Sequence, residues 1–236
     1  MQGYTRRQLK QDRFAERTKA AVEWTAGHQR PVLWGVGLVL IGLAVYFAYS
    51  TWASRQSDAA NAGLGAAMRT FTEPLRPAGV PASEGAGSFT SIADRAKSAG
   101  KEFKAVADQY PHANAGKIAR YMEGVASMQA GDNAAAERQL KSVADSSDKN
   151  IAALAKMSLA SLYGSSNRLS DATRIYKDVQ DHPSDTVSKV QAQLALAEMY
   201  ESTNPQQAAT IYQQIQKENP DNPAGQLASS KLATVK

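Results

Sequence analysis

The sequence predicts an all-α chain: a single N-terminal transmembrane helix followed by a solenoid of stacked helical hairpins. Three observations carry that prediction. Residues 32–52 contain no charged side chain. From Ala99 onward, an Ala followed four residues later by an aromatic residue or Leu recurs about every 36 residues. The composition is rich in Ala, Gln, Ser, Lys and Leu and poor in aromatics, which favours helices over strands.

The first element is a basic tail, residues 1–30. It holds seven of the chain's 27 Lys and Arg (Arg6, Arg7, Lys10, Arg13, Arg17, Lys19, Arg30) against three of its 22 acids (Asp12, Glu16, Glu23). What remains is 20 basic and 19 acidic residues, so the formal charge of +5 belongs largely to the tail. A nearly neutral remainder has no electrostatic footprint for a phosphate backbone, and nucleic acid is excluded as a partner. Thr5-Arg6-Arg7-Gln8-Leu9-Lys10 partly matches a twin-arginine export signal, but a charged stretch separates it from the apolar run.

Residues 31–53 form the span. Twenty or so apolar residues at about 1.5 Å each cross the roughly 30 Å hydrocarbon core. Pro31 suits a first helical turn. Trp34 near one end, and Tyr46, Tyr49 and Trp52 near the other, are rings that favour headgroups. Only Arg55 and Arg69 follow within twenty residues, so the positive-inside bias keeps the N-terminus cytoplasmic. The expected location is a bacterial inner membrane, single-pass, with the C-terminal domain in the periplasm. A cleaved signal peptide, cut near Ala48-Tyr49-Ser50, is the alternative; the apolar run is long for it and the preceding region long and acidic. Gly35, Gly37, Gly42, Ala44 and Ala48 are small enough to admit a second membrane helix.

The repeats come next. Ala99…Phe103…Pro111, Ala136…Leu140, Ala172…Tyr176…Pro183 and Ala208…Tyr212…Pro220 mark second helices of successive hairpins. First helices read Ile118–Met128, Leu154–Tyr163 and Val190–Tyr200. The spacing is close to the tetratricopeptide period of about 34. Gly124, Ala160 and Ala197 let the second helix approach, and Ala136, Ala172 and Ala208 do the same from the other side. Leu159, Tyr163, Leu140, Tyr176, Tyr200 and Tyr212 fill the space between hairpins. The prolines end the second helices, and Gly131-Asp132-Asn133, Ser165-Ser166-Asn167 and Asn204-Pro205 turn the chain within each hairpin.

Residues 54–112 read as a degenerate first repeat. A helix from about Ser57 to Phe71 continues from the span, and its partner runs from about Phe89 to Gln109. Between them a Pro-rich insertion at 73–87 cannot sustain a regular element; it is either an inert loop or a partner-binding segment. Residues 113–236 hold the remaining repeats, closed by a capping helix from Ala224 to Val235.

Tail, span and repeat domain together resemble the family of ancillary SecYEG translocon subunits, tetratricopeptide-repeat membrane proteins. Their soluble relatives include the tetratricopeptide domain of a bacterial cell-division coordinator. The resemblance covers essentially the whole chain in architecture and rests on the 36-residue pattern. It implies association with translocon subunits and with periplasmic chaperones or unfolded exported chains. The alternative is an envelope-assembly or cell-division adaptor without a chaperone role. Two departures stand out: the insertion at 73–87, and Arg120 and Glu123 where the repeat pattern has Trp and Leu.

No catalytic, cofactor-binding or metal-binding constellation is legible, and neither an enzyme nor a small-molecule substrate is expected. The absence of cysteine removes disulfides, thiolate zinc sites and thiol catalysis. His28, His112 and His182 are single, the latter two beside Pro111 and Pro183 in turns. Gly63-Leu64-Gly65 and Gly85-Ala86-Gly87 lack the strand–turn–helix setting of a phosphate loop. A helical solenoid instead offers a groove lined by first helices, which binds extended peptides or a partner's helix. By repeat phase, Tyr121, Val125, Met128, Leu154, Met157, Gln191, Leu194 and Glu198 are the candidates to face it, with inter-repeat packing as the competing role for the apolar ones.

Overall fold

The computed structural model describes residues 29–77 and 88–235. The basic tail up to His28, with its twin-arginine-like stretch, lies outside the described residues, as do positions 78–87 of the insertion with Gly85-Ala86-Gly87. The described elements are helices: α1 (Gln29–Thr72), α2 (Ile92–Gln109), α3 (Asn114–Gln129), α4 (Asn133–Ala144), α5 (Lys149–Ser165), α6 (Leu169–Asp181), α7 (Lys189–Glu201), α8 (Pro205–Glu218) and α9 (Pro223–Thr234). The chain divides into two units between Arg55 and Gln56.

In the first unit α1 is long and apolar enough to cross a membrane. Leu33, Trp34, Leu38, Leu40, Ile41, Val45, Tyr46 and Trp52 are all exposed, with no protein surface against them. In water so much apolar area would be a liability; in lipid it is the requirement. The hydroxyls of Ser50 and Thr51 donate to the Phe47 carbonyl at 3.0 and 2.9 Å, so they add no unpaired polar group.

In the second unit residues 56–72 of α1 pair with α2, α3 with α4, α5 with α6 and α7 with α8, and α9 covers the last hairpin. The recurring alanines Ala99, Ala136, Ala172 and Ala208 are fully buried. The large residues four positions on, Phe103, Leu140, Tyr176 and Tyr212, are buried with them, so the repeat pattern is the core itself. Gly124 shows why a small residue is needed opposite. A Cβ there would come within 2.8 Å of Leu140 Cδ2. Beyond their own hairpins, α3 packs on α5 and α5 on α7, which sets the first helices side by side on the inner face of the stack.

Caps define where each helix begins. Side chains of Ser91, Asp132, Asp148, Ser188, Asn204 and Asn222 accept from backbone N–H groups in the first turn. The Ser91 cap sets the start of α2 at Ile92, three residues later than the Phe89 expected from apolar pattern alone. The Ser57–Phe71 segment is the continuation of α1, as the sequence leads one to expect, and contains Gly63-Leu64-Gly65. The ends of the insertion are held together: Arg76 N–H donates to the Phe89 carbonyl at 2.8 Å and Arg95 Nη1 to the Glu73 carbonyl at 2.7 Å.

Two glycines invisible to the repeat pattern close the turns between hairpins. Gly116 in α3 and Gly225 in α9 each sit where a Cβ would fall 1.8 Å from a backbone oxygen, that of Tyr110 and Asn219 respectively. Neither carbonyl can move without opening the preceding helix end. Gly116→Ala should therefore lower stability by about 2 kcal/mol or more in urea unfolding. Gly65→Ala, where only Arg69 Nη1 lies near at 3.8 Å, should be neutral or stabilising through helix propensity.

Candidate functional site

The inner face formed by α3, α5 and α7 carries a groove of about 560 Å³. Met128 closes one side, and Met157, Ser158, Ser161 and Ser165 of α5 form the floor. Ala195, Glu198, Met199 and, just beyond α7, Ser202 line the other side, while Leu169 and Tyr176 of α6 reach in from below. Close approach of α5 and α7 depends on Gly164, where a Cβ would meet Met199 Cγ and Sδ at 3.2 Å. Hydroxyl pairs tie neighbouring repeats at the same level: Tyr121 with Ser158 at 3.0 Å and Thr173 with Tyr200 at 2.7 Å.

Three of the eight residues expected to face a groove, Met128, Met157 and Glu198, line this one. Tyr121 borders it through its bond to Ser158, and Val125 is half-buried on α3. The other three have different positions. Leu154 packs against the cluster of Ala153, Val179, Val187 and Ala192. Leu194 packs against the Ala197, Tyr212 and Ala228 cluster. Gln191 completes a capping box with Ser188, accepting from its N–H at 2.7 Å. The first turns of α5 and α7 are taken up by capping and packing, so their groove face begins later, near Met157 and Ala195. Ser158, Ser161, Ser165 and Met199 were missed for that reason, although 157, 161, 164 and 165 share one helical face, and Tyr176 was missed because it lies on a second helix.

The electrostatics of the inner face are sparse. Among the described residues Glu198 is the one charged side chain lining the groove. Burial, with the Glu198 charge adding to it, pushes the Tyr176 hydroxyl up to about 12, so it stays protonated at any physiological pH. Among the described residues no group of three or more His, Cys, Asp and Glu could hold a metal ion.

Arg120 and Glu123, which replace the Trp and Leu of the repeat pattern, are absorbed by polar contacts between helices. Glu123 is buried, its carboxyl raised by desolvation, and accepts from Gln139 Nε2 at 2.8 Å. Arg120 Nη2 reaches the Ala107 carbonyl at 3.3 Å and Asp108 at 3.2 Å.

The outer side carries a denser ionic cluster. Glu137 accepts from Lys141 Nζ at 2.6 Å, the Tyr163 hydroxyl at 2.9 Å and Arg168 Nη1 at 3.0 Å, and the Arg168 guanidinium lies 3.9 Å from the Tyr163 ring centre. Led by the Lys141 bond, these donors bring the Glu137 carboxyl down to about 2. Because the folded value is depressed, the stabilisation is complete above the ordinary carboxylate range and is lost as pH falls towards 2. Glu137→Gln should cost about 1 kcal/mol at pH 7 and flatten the acid side of the stability profile, as measured by urea unfolding at stepped pH.

Residues 23–181 match the family model described as a tetratricopeptide repeat-like domain. No curated protein and no solved structure matches the chain. The α7–α8 hairpin, beyond the matched residues, repeats the same Ala and Tyr positions at Ala208 and Tyr212.

Proposed function

Because the chain belongs to the tetratricopeptide repeat-like family, we propose that it is a membrane-anchored protein–protein interaction scaffold of a bacterial inner membrane. In this reading the N-terminus is cytoplasmic, the repeat domain is periplasmic, and the groove works beside the Sec translocon, with periplasmic chaperones, in handling exported proteins. One observation carries it: a helix apolar enough to cross a membrane precedes stacked hairpins whose inner face is an open groove. The seven basic residues before the span, against Arg55 and Arg69 after it, support the orientation. The architecture of tail, span and repeats supports the translocon setting. An anchor raises the local concentration of the groove where exported chains emerge, so individual contacts need not be tight.

The proposed role is not catalytic. A single carboxylate among hydroxyls and thioethers supplies no acid–base pair and no activated nucleophile. Crosslinking in cells tests the whole reading, with the intact protein compared against one whose residues 31–53 are replaced by a cleavable export signal. Translocon subunits and nascent exported chains should be captured by the intact protein and lost from the released form. Capture of division or envelope-assembly proteins in their place would transfer the proposal to the adaptor role.

A further inference from the structure

We propose that the groove between α5 and α7 selects polypeptide segments in which a lysine or arginine is flanked by apolar side chains, the cation meeting Glu198 and the Tyr176 hydroxyl. This rests on the reading of the groove as a polypeptide-binding surface and names what it chooses.

The charge comes first. Glu198 is exposed, and among the described residues no ion pair or hydrogen bond engages it. Nearby carboxylates are in a different position: Glu201 is bonded to Tyr212 at 2.6 Å and to Lys231 at 3.0 Å, and Glu218 to Lys189 at 3.2 Å. Those pairs tie helices together, whereas Glu198 leaves its charge in the groove. Among the described residues no Lys, Arg or His lines the groove, and Lys231, the cation that feels the Glu198 charge, is bonded to Glu201. An acidic segment would bring like charge to that carboxylate, and a basic one supplies the missing partner.

The second observation is independent of the first. Tyr176 is only 4 % exposed, yet it lines the same groove. Its hydroxyl has no hydrogen-bond partner among the described residues, and burial and the Glu198 charge alone account for its raised pKa. The ring is packed away while the hydroxyl itself is not sealed from solvent, so it opens on the groove, where an ammonium or guanidinium donor can reach it. A neutral phenol oxygen accepts from such a donor while the carboxylate balances its charge.

The rest of the lining fits the flanks of that cation. Met128, Met157 and Met199 are flexible thioethers that adapt to apolar side chains of different shape. Ser158, Ser161 and Ser202 offer hydroxyls that bond a peptide backbone without regard to sequence. Selection therefore falls on one basic residue, with tolerance on either side.

The test uses the full chain in lipid nanodiscs and short fluorescein-labelled peptides of Ala and Leu with Lys, norleucine or Glu at the centre. Fluorescence anisotropy should show the Lys peptide binding about tenfold tighter than the norleucine peptide, with the advantage shrinking as salt rises, and the Glu peptide weakest. Glu198→Gln should erase the Lys preference, and Glu198→Lys should invert it in favour of the Glu peptide. Tyr176→Phe, of unchanged shape, should reduce it. Asp181→Asn, an exposed carboxylate that does not line the groove, should leave it intact. Equal binding of all three peptides overturns the basic selection and leaves the polypeptide-binding reading standing. If no peptide binds, both fall. A dimer in sedimentation that the Lys peptide cannot dissociate gives the groove to a second copy of the chain and overturns the proposal as well.

Discussion

Leu140→Ala should lower the unfolding free energy of the repeat domain by about 2–5 kcal/mol, among the largest effects of any single truncation. Leu140 is fully buried, opposite Gly124, in the cluster that joins α4, α5, α6 and α7. Its side chain occupies the space that the missing Cβ of Gly124 leaves open. Truncation removes that filling from a hairpin whose backbones are already as close as Gly124 allows, so the cavity cannot collapse. The position along the stack decides the reach of the damage. A solenoid holds together through nearest neighbours, and a central hairpin couples both halves. Removing the Tyr212 ring, in the last hairpin, should instead raise amide exchange in α8 and α9 first. Urea unfolding with exchange readout separates the two, and a uniform response to both changes would argue against a stacked array.

The second large effect concerns the membrane. Leu40→Arg together with Leu43→Arg should shift the protein from the membrane pellet towards the soluble fraction. Each guanidinium near the centre of a span is unfavourable by about 2.5–3.5 kcal/mol. Leu40 and Leu43 are both exposed, so no packed protein core is disturbed. The far-UV helical signal of residues 56–236 should persist, because that unit has its own buried clusters. Carbonate extraction measures this directly. Unchanged membrane retention in the doubly charged variant would mean that something other than this helix holds the protein there.

Much of the fold was legible because hairpin packing writes itself as a period. Ala99, Ala136, Ala172 and Ala208 are small where two helices touch, and the large residue one turn later fills the gap, so the pattern and the core coincide. Prolines after α2, α6 and α8 mark ends for a reason that needs no tertiary information. What escaped depends on geometry that a period does not encode. Gly116 and Gly225 matter through a carbonyl six residues earlier, a distance set by the turn between hairpins. The start of α2 was decided by a Ser91 side chain rather than by apolar spacing. The groove was half legible. Repeat phase put Met128, Met157 and Glu198 on the right face, but it could not tell that Gln191 would be spent on a capping box or that Leu154 and Leu194 would turn into packed clusters. Tyr176 belongs to a second helix and was read only as core, which it is, while its ring also reaches the groove.

The proposed function puts polypeptide binding on the inner face of the first helices. Because the chain has no cysteine, a photoreactive probe can be attached through one introduced thiol without background. Placed at Ser161 in the groove, it should crosslink to bound polypeptide on illumination; placed at Gln213, exposed on α8, it should not. Adducts forming at Gln213 while Ser161 stays silent would contradict the account.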